Sequence, residues 1–340
     1  MGDRFFSKML YGKETTKGTA VAATGMVAGS KISQISPDRA PKLIEENIGV
    51  RAQGSRMVTD QYQVKESIQI ANGYFQALPF LFGGGLKGGI VPTMTTPLQN
   101  DYLWNFTPSL ASGVANNPDA FSIQKGDDTQ AFLAEYCMFE RIKISGQIAQ
   151  GAEAAPVAIE AELFGRQWTS GTFTPAIAVP VVTAMSAKMT RLYIDTAWAG
   201  VGVTEIVNAL RSYQIDILTG VHPTFSGSGD KYFGKHEEGL IAAMLTLTIE
   251  GKAAANAIYN AFHTDPQPLQ VVALKINGPV IGTGTPHNLT VAVGGAWQEV
   301  IPLGDEDRGN NLTTMVLGGL YDPVGAKMLD VKLTTDKLAY

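Results

Sequence analysis

Residues 244–278 read MLTLTIEGKAAANAIYNAFHTDPQPLQVVALKING. Leu245, Leu247 and Ile249 alternate with Thr246, Thr248 and Glu250, the period-two pattern of a half-buried strand. Gly251 breaks it. From Lys252 the alanines favour helix, and Ile258, Ala261 and Phe262 recur at three- and four-residue spacing. Pro266 and Pro268 stop that helix, since proline lacks the N–H that a further turn needs. Residues 269–276 return to strand through Val271, Val272, Leu274 and Ile276. Such a strand–helix–strand unit cannot bury its own apolar face.

A second, fainter occurrence lies toward the N-terminus. Residues 63–70 (QVKESIQI) alternate, with Val64, Ile68 and Ile70 inward. Residues 73–82 (GYFQALPFLF) predict a short apolar helix, closed by Gly83–Gly85, with Phe75, Leu78 and Leu81 as its packing residues. Extended sequence follows at residues 102–106 (YLWNF). The same order of events twice predicts a duplicated β-rich module, with Ile258 and Phe262 as the packing residues of the second helix.

The chain has 340 residues, 37 glycines, 17 prolines and a net charge of −5. That length accommodates one large or two medium domains. The Gly, Pro, Thr and Val content favours short strands and turns. A net acidic chain argues against a groove that grips nucleic acid, though not against a surface that DNA slides past. The single cysteine, Cys137, excludes an internal disulfide and a cysteine zinc site, and its apolar surroundings predict a buried thiol. The first residues lack the apolar core of a signal peptide, and no run reaches the roughly 18 apolar residues of a membrane span. Both point to assembly in a reducing cytoplasm.

Along the chain, residues 1–30 predict an extended arm and residues 31–35 a short strand. Residues 43–58 read as extended with a short helical piece. Strands are expected at 121–123, 129–147, 157–164, 189–195 and 213–218, with a short helix at 203–210. Residues 222–235 (HPTFSGSGDKYFGK) predict a mobile hairpin tip. The last four strands, 288–293, 298–301, 311–317 and 328–333, form a meander turning at Gly294-Gly295 and at 304–308. The expected division is an arm (1–30), a first module (31–168), a linker (169–182) and a second module (183–340). The fold class is mainly β, a sandwich or barrel with one short flanking helix per module.

No catalytic, cofactor or metal constellation emerges. His222, His236, His263 and His287 lie apart, and G-x-S-x-G is absent. Gly227-Ser228-Gly229-Asp230 lacks the Lys-Ser/Thr of a phosphate cradle. Asp305-Glu306-Asp307 lacks calcium-loop spacing, and the paired glutamates read as solvated faces.

The opening residues carry more. The run Gly12-Lys13-Glu14-Thr15-Thr16-Lys17-Gly18-Thr19-Ala20-Val21 resembles the start of tail tube proteins of long-tailed bacteriophages, and residues 50–56 with the strand at 63–70 fit that family's N-terminal half. The motif covers about the first ninety residues. Family members often carry an aromatic residue where Lys17 stands. The resemblance implies a structural virion protein that stacks as rings into a tail tube, assembled in the host cytoplasm, with no enzymatic activity. Its implied partners are itself (a trimer of two-module chains, with a plain hexamer as alternative), a tape-measure protein and tail-end proteins. DNA would pass an acidic lumen without specific binding. A capsid decoration protein, a tail terminator and a carbohydrate-binding β-sandwich share the siteless β-rich character.

Overall fold

A computed structural model of the chain describes residues 6–31, 35–46, 49–127, 129–149, 151–227, 229–251 and 253–340. The alternating segments become antiparallel strands. A broad sheet runs in the order Val64–Ile70, Val157–Gly165, Ala131–Gln147, Leu210–Leu218, Ala242–Glu250, Asn310–Gly319 and Pro286–Asp307. Its inward residues, among them Ile142, Ile144, Ile215, Leu245, Leu247, Met315 and Leu317, are buried. A second sheet joins Thr190–Asp195, Gln270–Val280, the first part of Pro286–Asp307, Leu329–Thr335 and Tyr102–Asn105. A third joins Lys8–Lys13, Phe121–Gly126, the first part of Ala131–Gln147 and Trp168–Gly171. The inward faces share one apolar core.

Two long strands tie the layers together by changing sheet midway. Ala131–Gln147 does so around Tyr136, whose φ is 55°. Pro286–Asp307 does so at Gly294-Gly295, where a Cβ on Gly295 would stand 2.0 Å from the Gly318 carbonyl oxygen. The turn expected at these glycines is therefore not formed. Glycine serves here for close backbone approach between strands, a use that composition does not separate from a turn.

The first helix runs as a 3₁₀ turn, Phe75–Ala77, followed by an α-helix, Leu78–Gly85. Phe75, Leu78 and Leu81 are all buried, as expected. The three glycines lie inside the helix rather than closing it. A Cβ on Gly84 would come 2.8 Å from the Phe139 ring, so the missing side chains let the helix press against the strand beneath. Phe80 stacks on Tyr11 with centroids 4.1 Å apart and meets Phe121 and Phe139 edge-on, the arrangement that aromatic quadrupoles favour. The second helix, Ala253–Phe262, buries Ala255 and Ile258 but only half-buries Phe262. Its other flank, with Asn256, Ala257 and Tyr259, is exposed.

The duplication is visible in the pairing. In the first half, Val64–Ile70 leads to a helix, then to Phe121–Gly126, Ala131–Gln147, Val157–Gly165 and Trp168–Gly171. In the second, Ala242–Glu250 leads to a helix, then to Gln270–Val280, Pro286–Asp307, Asn310–Gly319 and Leu329–Thr335. Each strand pairs with the counterparts of its fellows' partners. Even the irregularity repeats: the first hairpin shifts register between Glu162 and Leu163, the second between Trp297 and Glu299. Lys8–Lys13 pairs with Phe121–Gly126 as Thr190–Asp195 pairs with Gln270–Val280.

Several expectations change. The strand matching residues 269–276 is Phe121–Gly126, whereas Tyr102–Asn105 pairs with Leu329–Thr335 of the other half. Residues 6–31 are not a loose arm: Lys8–Lys13 is a core strand with Leu10 buried. Residues 32–34 of the strand expected at 31–35 lie outside the described residues. Lys42–Ile44 and Arg56–Val58 form a ribbon; among the described residues of 43–58 there is no helical piece, and residues 47–48 lie outside the described residues. Residues 203–209 are turns leading into Leu210–Leu218. The segment assigned to a linker begins as the strand Trp168–Gly171. The halves are joined by direct pairing of Ala131–Gln147 with Leu210–Leu218.

Candidate assembly surface

The motif residues sit on and after the strand Lys8–Lys13, against Phe121–Gly126. A Cβ on Gly12 would meet the Ala22 carbonyl oxygen at 2.4 Å, so the chain can fold back closely there. Lys13 pairs with Asp119 at 3.0 Å. Glu14 is buried and fully engaged: it accepts the Tyr136 N–H at 2.8 Å, the Ser122 hydroxyl at 3.0 Å and the Gly18 N–H at 2.6 Å. Burial pushes its carboxyl pKa up, while these donors pull the other way. Gly18 has φ +80°, and a Cβ would strike the Arg166 guanidinium, whose Nη1 donates to the Gly18 carbonyl at 2.9 Å. Val21 donates its N–H to Ser122. Thr15, Thr19 and Ala20 are exposed. The motif thus acts as a fold anchor, a role its spelling does not reveal.

The loop behind it is clasped by the second half. Lys17 Nζ lies 3.3 Å from His236 Nε2, and the Tyr136 hydroxyl lies 3.1 Å from His236 Nδ1. Burial, then the Lys17 charge, lowers the His236 pKa to about 4. His236 belongs to a ribbon, Val221–Thr224 with Lys235–Glu238. Phe233, in the segment expected to be mobile, is fully buried between Tyr136 and Phe164, with ring centroids at 5.0 and 5.4 Å. Ser228 lies outside the described residues.

The remaining candidates do not converge. His222 is exposed and His263 caps its own helix end through the Tyr259 carbonyl. His287 is buried against the Phe75 ring at 5.2 Å. Cys137 is buried, which raises its thiol pKa. Asp305–Asp307 ends a strand at the tip of a hairpin. Among the described residues no group of three or more His, Cys, Asp or Glu is placed to hold a metal ion. No helix of the described residues is long and apolar enough to cross a membrane.

What the fold does present is a wide polar face, one strand edge without a further strand partner among the described residues and one edge bordered by irregular chain. On the broad sheet's outward face, Arg141 donates to Asp216 at 2.8 Å and lies 3.5 Å from Glu162. Lys143 approaches Glu160 at 3.9 Å and Arg211 pairs with Glu250 at 2.5 Å. Gln69, Ser145, Gln214, Thr246, Thr248 and Thr314 fill the face between them. Both charge signs are present and paired, in contrast to a simply acidic wall. At one end of the sheet, residues 296–307 pair only with Asn310–Gly319 among the described strands. At the other, Val64–Ile70 is bordered by irregular chain: Ser30 bridges Ile70, Lys31 donates to the Gln69 carbonyl, and Arg39 bridges Tyr62.

No model of a known protein family matches the chain, and none of the curated proteins matches it either. The class is set by the fold alone: a mainly antiparallel β-sandwich with two short helices.

Proposed function

We propose that this chain is a tail tube subunit of a long-tailed bacteriophage, self-assembling into stacked rings whose channel carries DNA during ejection. The observation carrying this reading is the broad sheet, which takes strands from both halves and ends on one side in residues 296–307, with no further partner among the described strands, and on the other in Val64–Ile70, bordered by irregular chain. Exposed edges are normally blunted or covered, because they template pairing with other chains; a ring subunit satisfies them with its neighbours. The opening motif's resemblance supports the same reading.

The sheet's outward face would line the channel. Its arginines and lysines lie beside carboxylates, so phosphates passing at a distance meet little net attraction. DNA binding through released counterions needs cations available to phosphate, and a paired wall offers few. A trimer would set its duplicated modules in a pseudo-sixfold ring, with a tape-measure protein inside during assembly and tail-end proteins at the tips. The chain would work in the virion tail and catalyse nothing.

Negative-stain microscopy of the purified protein tests this directly. Hollow rings or tubes are expected. Monodisperse particles that bind glycans would favour a carbohydrate-binding sandwich, and closed single rings that never stack would favour a tail terminator.

A further inference from the structure

The two halves of the chain meet across a contact that the duplication ought to repeat at the chain's outer ends. Inside the chain, three features of that contact are covered. The Ala131–Gln147 edge pairs with Leu210–Leu218. The Val221–Thr224/Lys235–Glu238 ribbon reaches back from the second half and buries Phe233 on the first. The first helix is enclosed by second-half residues, with Tyr340 against Gly83 and Thr219 against Gly85.

Each feature has an equivalent at the outer ends, and each equivalent is exposed. The counterpart of the Ala131–Gln147 edge, by the shared register shift, is residues 296–307, whose outer edge has no described strand partner. The counterpart of Leu210–Leu218 is residues 30–31 and 35–39 beside Val64–Ile70. The counterpart of the reaching ribbon is Lys42–Ile44/Arg56–Val58, which leaves Leu43 and Met57 exposed. A two-stranded ribbon in water is at best marginally stable by itself. The counterpart of the enclosed helix is Ala253–Phe262, exposed along Tyr259. The tail that covers the first helix follows Leu329–Thr335; the segment following its counterpart, Trp168–Gly171, exposes Val179 and Val181.

We infer that a second copy of this chain docks head-to-tail, its first half seated on its neighbour's second half as the two halves are seated within one chain. Residues 296–307 of one copy then extend the broad sheet of the next along residues 30–31 and 35–39. The acidic hairpin end, Asp305 and Glu306, comes toward Lys31, and Glu299 takes the place that Arg141 holds at the internal contact. The neighbour's ribbon and its Val179–Val181 segment cover the outer surface of the second half and the Tyr259 flank. This contact is heterologous, joining different surfaces of the two copies, so it closes into a ring if the rotation allows. The inference rests on the reading of the chain as a self-assembling subunit, and it assigns the surfaces.

The native cysteine is buried, so introduced pairs report cleanly. By the repeat, Ile301 takes the place of Lys143, and Ser36 lies near the place of Asp216, its cross-strand partner. The double variant Ile301→Cys/Ser36→Cys, oxidised after assembly, should give a ladder of covalent oligomers on a denaturing gel. The single variants should stay monomeric, and their mixture should stop at dimers. Rings or tubes that form without cross-links would overturn the assigned surfaces and leave the tube reading intact. Dimers of Ile301→Cys alone would overturn them in favour of an edge-to-edge twofold contact. A ladder on oligomers that never stack would support the surfaces and remove the tube reading. As a check independent of the cysteines, Tyr259→Glu should leave the subunit's circular dichroism and melting unchanged. It should raise the concentration needed for assembly about tenfold or more. Unchanged assembly would count against a buried Tyr259 flank.

Discussion

Glu14 is the residue on which the N-terminal anchor turns. Its carboxylate receives three donors from three segments, and an amide in its place cannot accept from all of them. Glu14→Gln turns an N–H toward the Gly18 or Tyr136 N–H and should lower stability by about 1–3 kcal/mol, the usual cost of a buried unsatisfied group, measured by chemical denaturation. His236 supplies a pH dependence. Its folded pKa lies at about 4, below the roughly 6.5 of an unfolded histidine. The unfolded chain therefore binds a proton that the folded chain refuses. The contribution is present above pH 6.5 and is lost as pH falls toward 4. Melting temperature across that window should fall less steeply in His236→Gln than in the parent; the raised Glu14 pKa acts in the opposite sense but equally in both. Neither role was legible in the sequence. Gly12 to Val21 stood out as a motif, yet the partners that give Glu14 and Lys17 their work, Tyr136 and His236, are more than a hundred residues away.

Among the elements, the first helix shows how far pattern reading goes. Phe75, Leu78 and Leu81 were identifiable as packing residues from apolar content alone, while the glycines after them read as a stop. They sit inside the helix as glycines because Tyr340 at Gly83, Phe139 and Phe121 at Gly84 and Thr219 at Gly85 stand where side chains would be, a tertiary fact that no local propensity encodes. Gly84→Ala makes the competition measurable. Alanine improves helix propensity by about 1 kcal/mol, but overpacking a filled core costs about 1–3 kcal/mol. Because both rings are buried and braced by Phe80, packing should win and the variant should melt lower; a higher melting temperature would show that the rings can move aside. In the second helix, Ile258→Ala should cost about 2–5 kcal/mol, and Phe262→Ala distinctly less, since Phe262 is only half-buried. The periodicity placed both residues on one face but did not show that the face is narrow. Gly294-Gly295 misled for a related reason: glycine marks close approach as readily as it marks a turn.

At the scale of the whole molecule, the duplication was legible as a repeated order of strand and helix, but its correct partners were not. The sequence paired residues 102–106 with the wrong counterpart, because the strand that matches, Phe121–Gly126, comes only after a segment that serves the other half. Six strands of each half correspond and share a register shift, and on the proposed reading one chain is a template for its own assembly. The central claim is that neighbouring chains meet as the two halves do. A reconstruction of the assembled ring by electron cryo-microscopy tests it most directly. The account predicts a channel wall to which both halves of every chain contribute strands, with the contact between chains superposing on the contact between halves. A wall built from one half only, with the other half standing outside it, would contradict it.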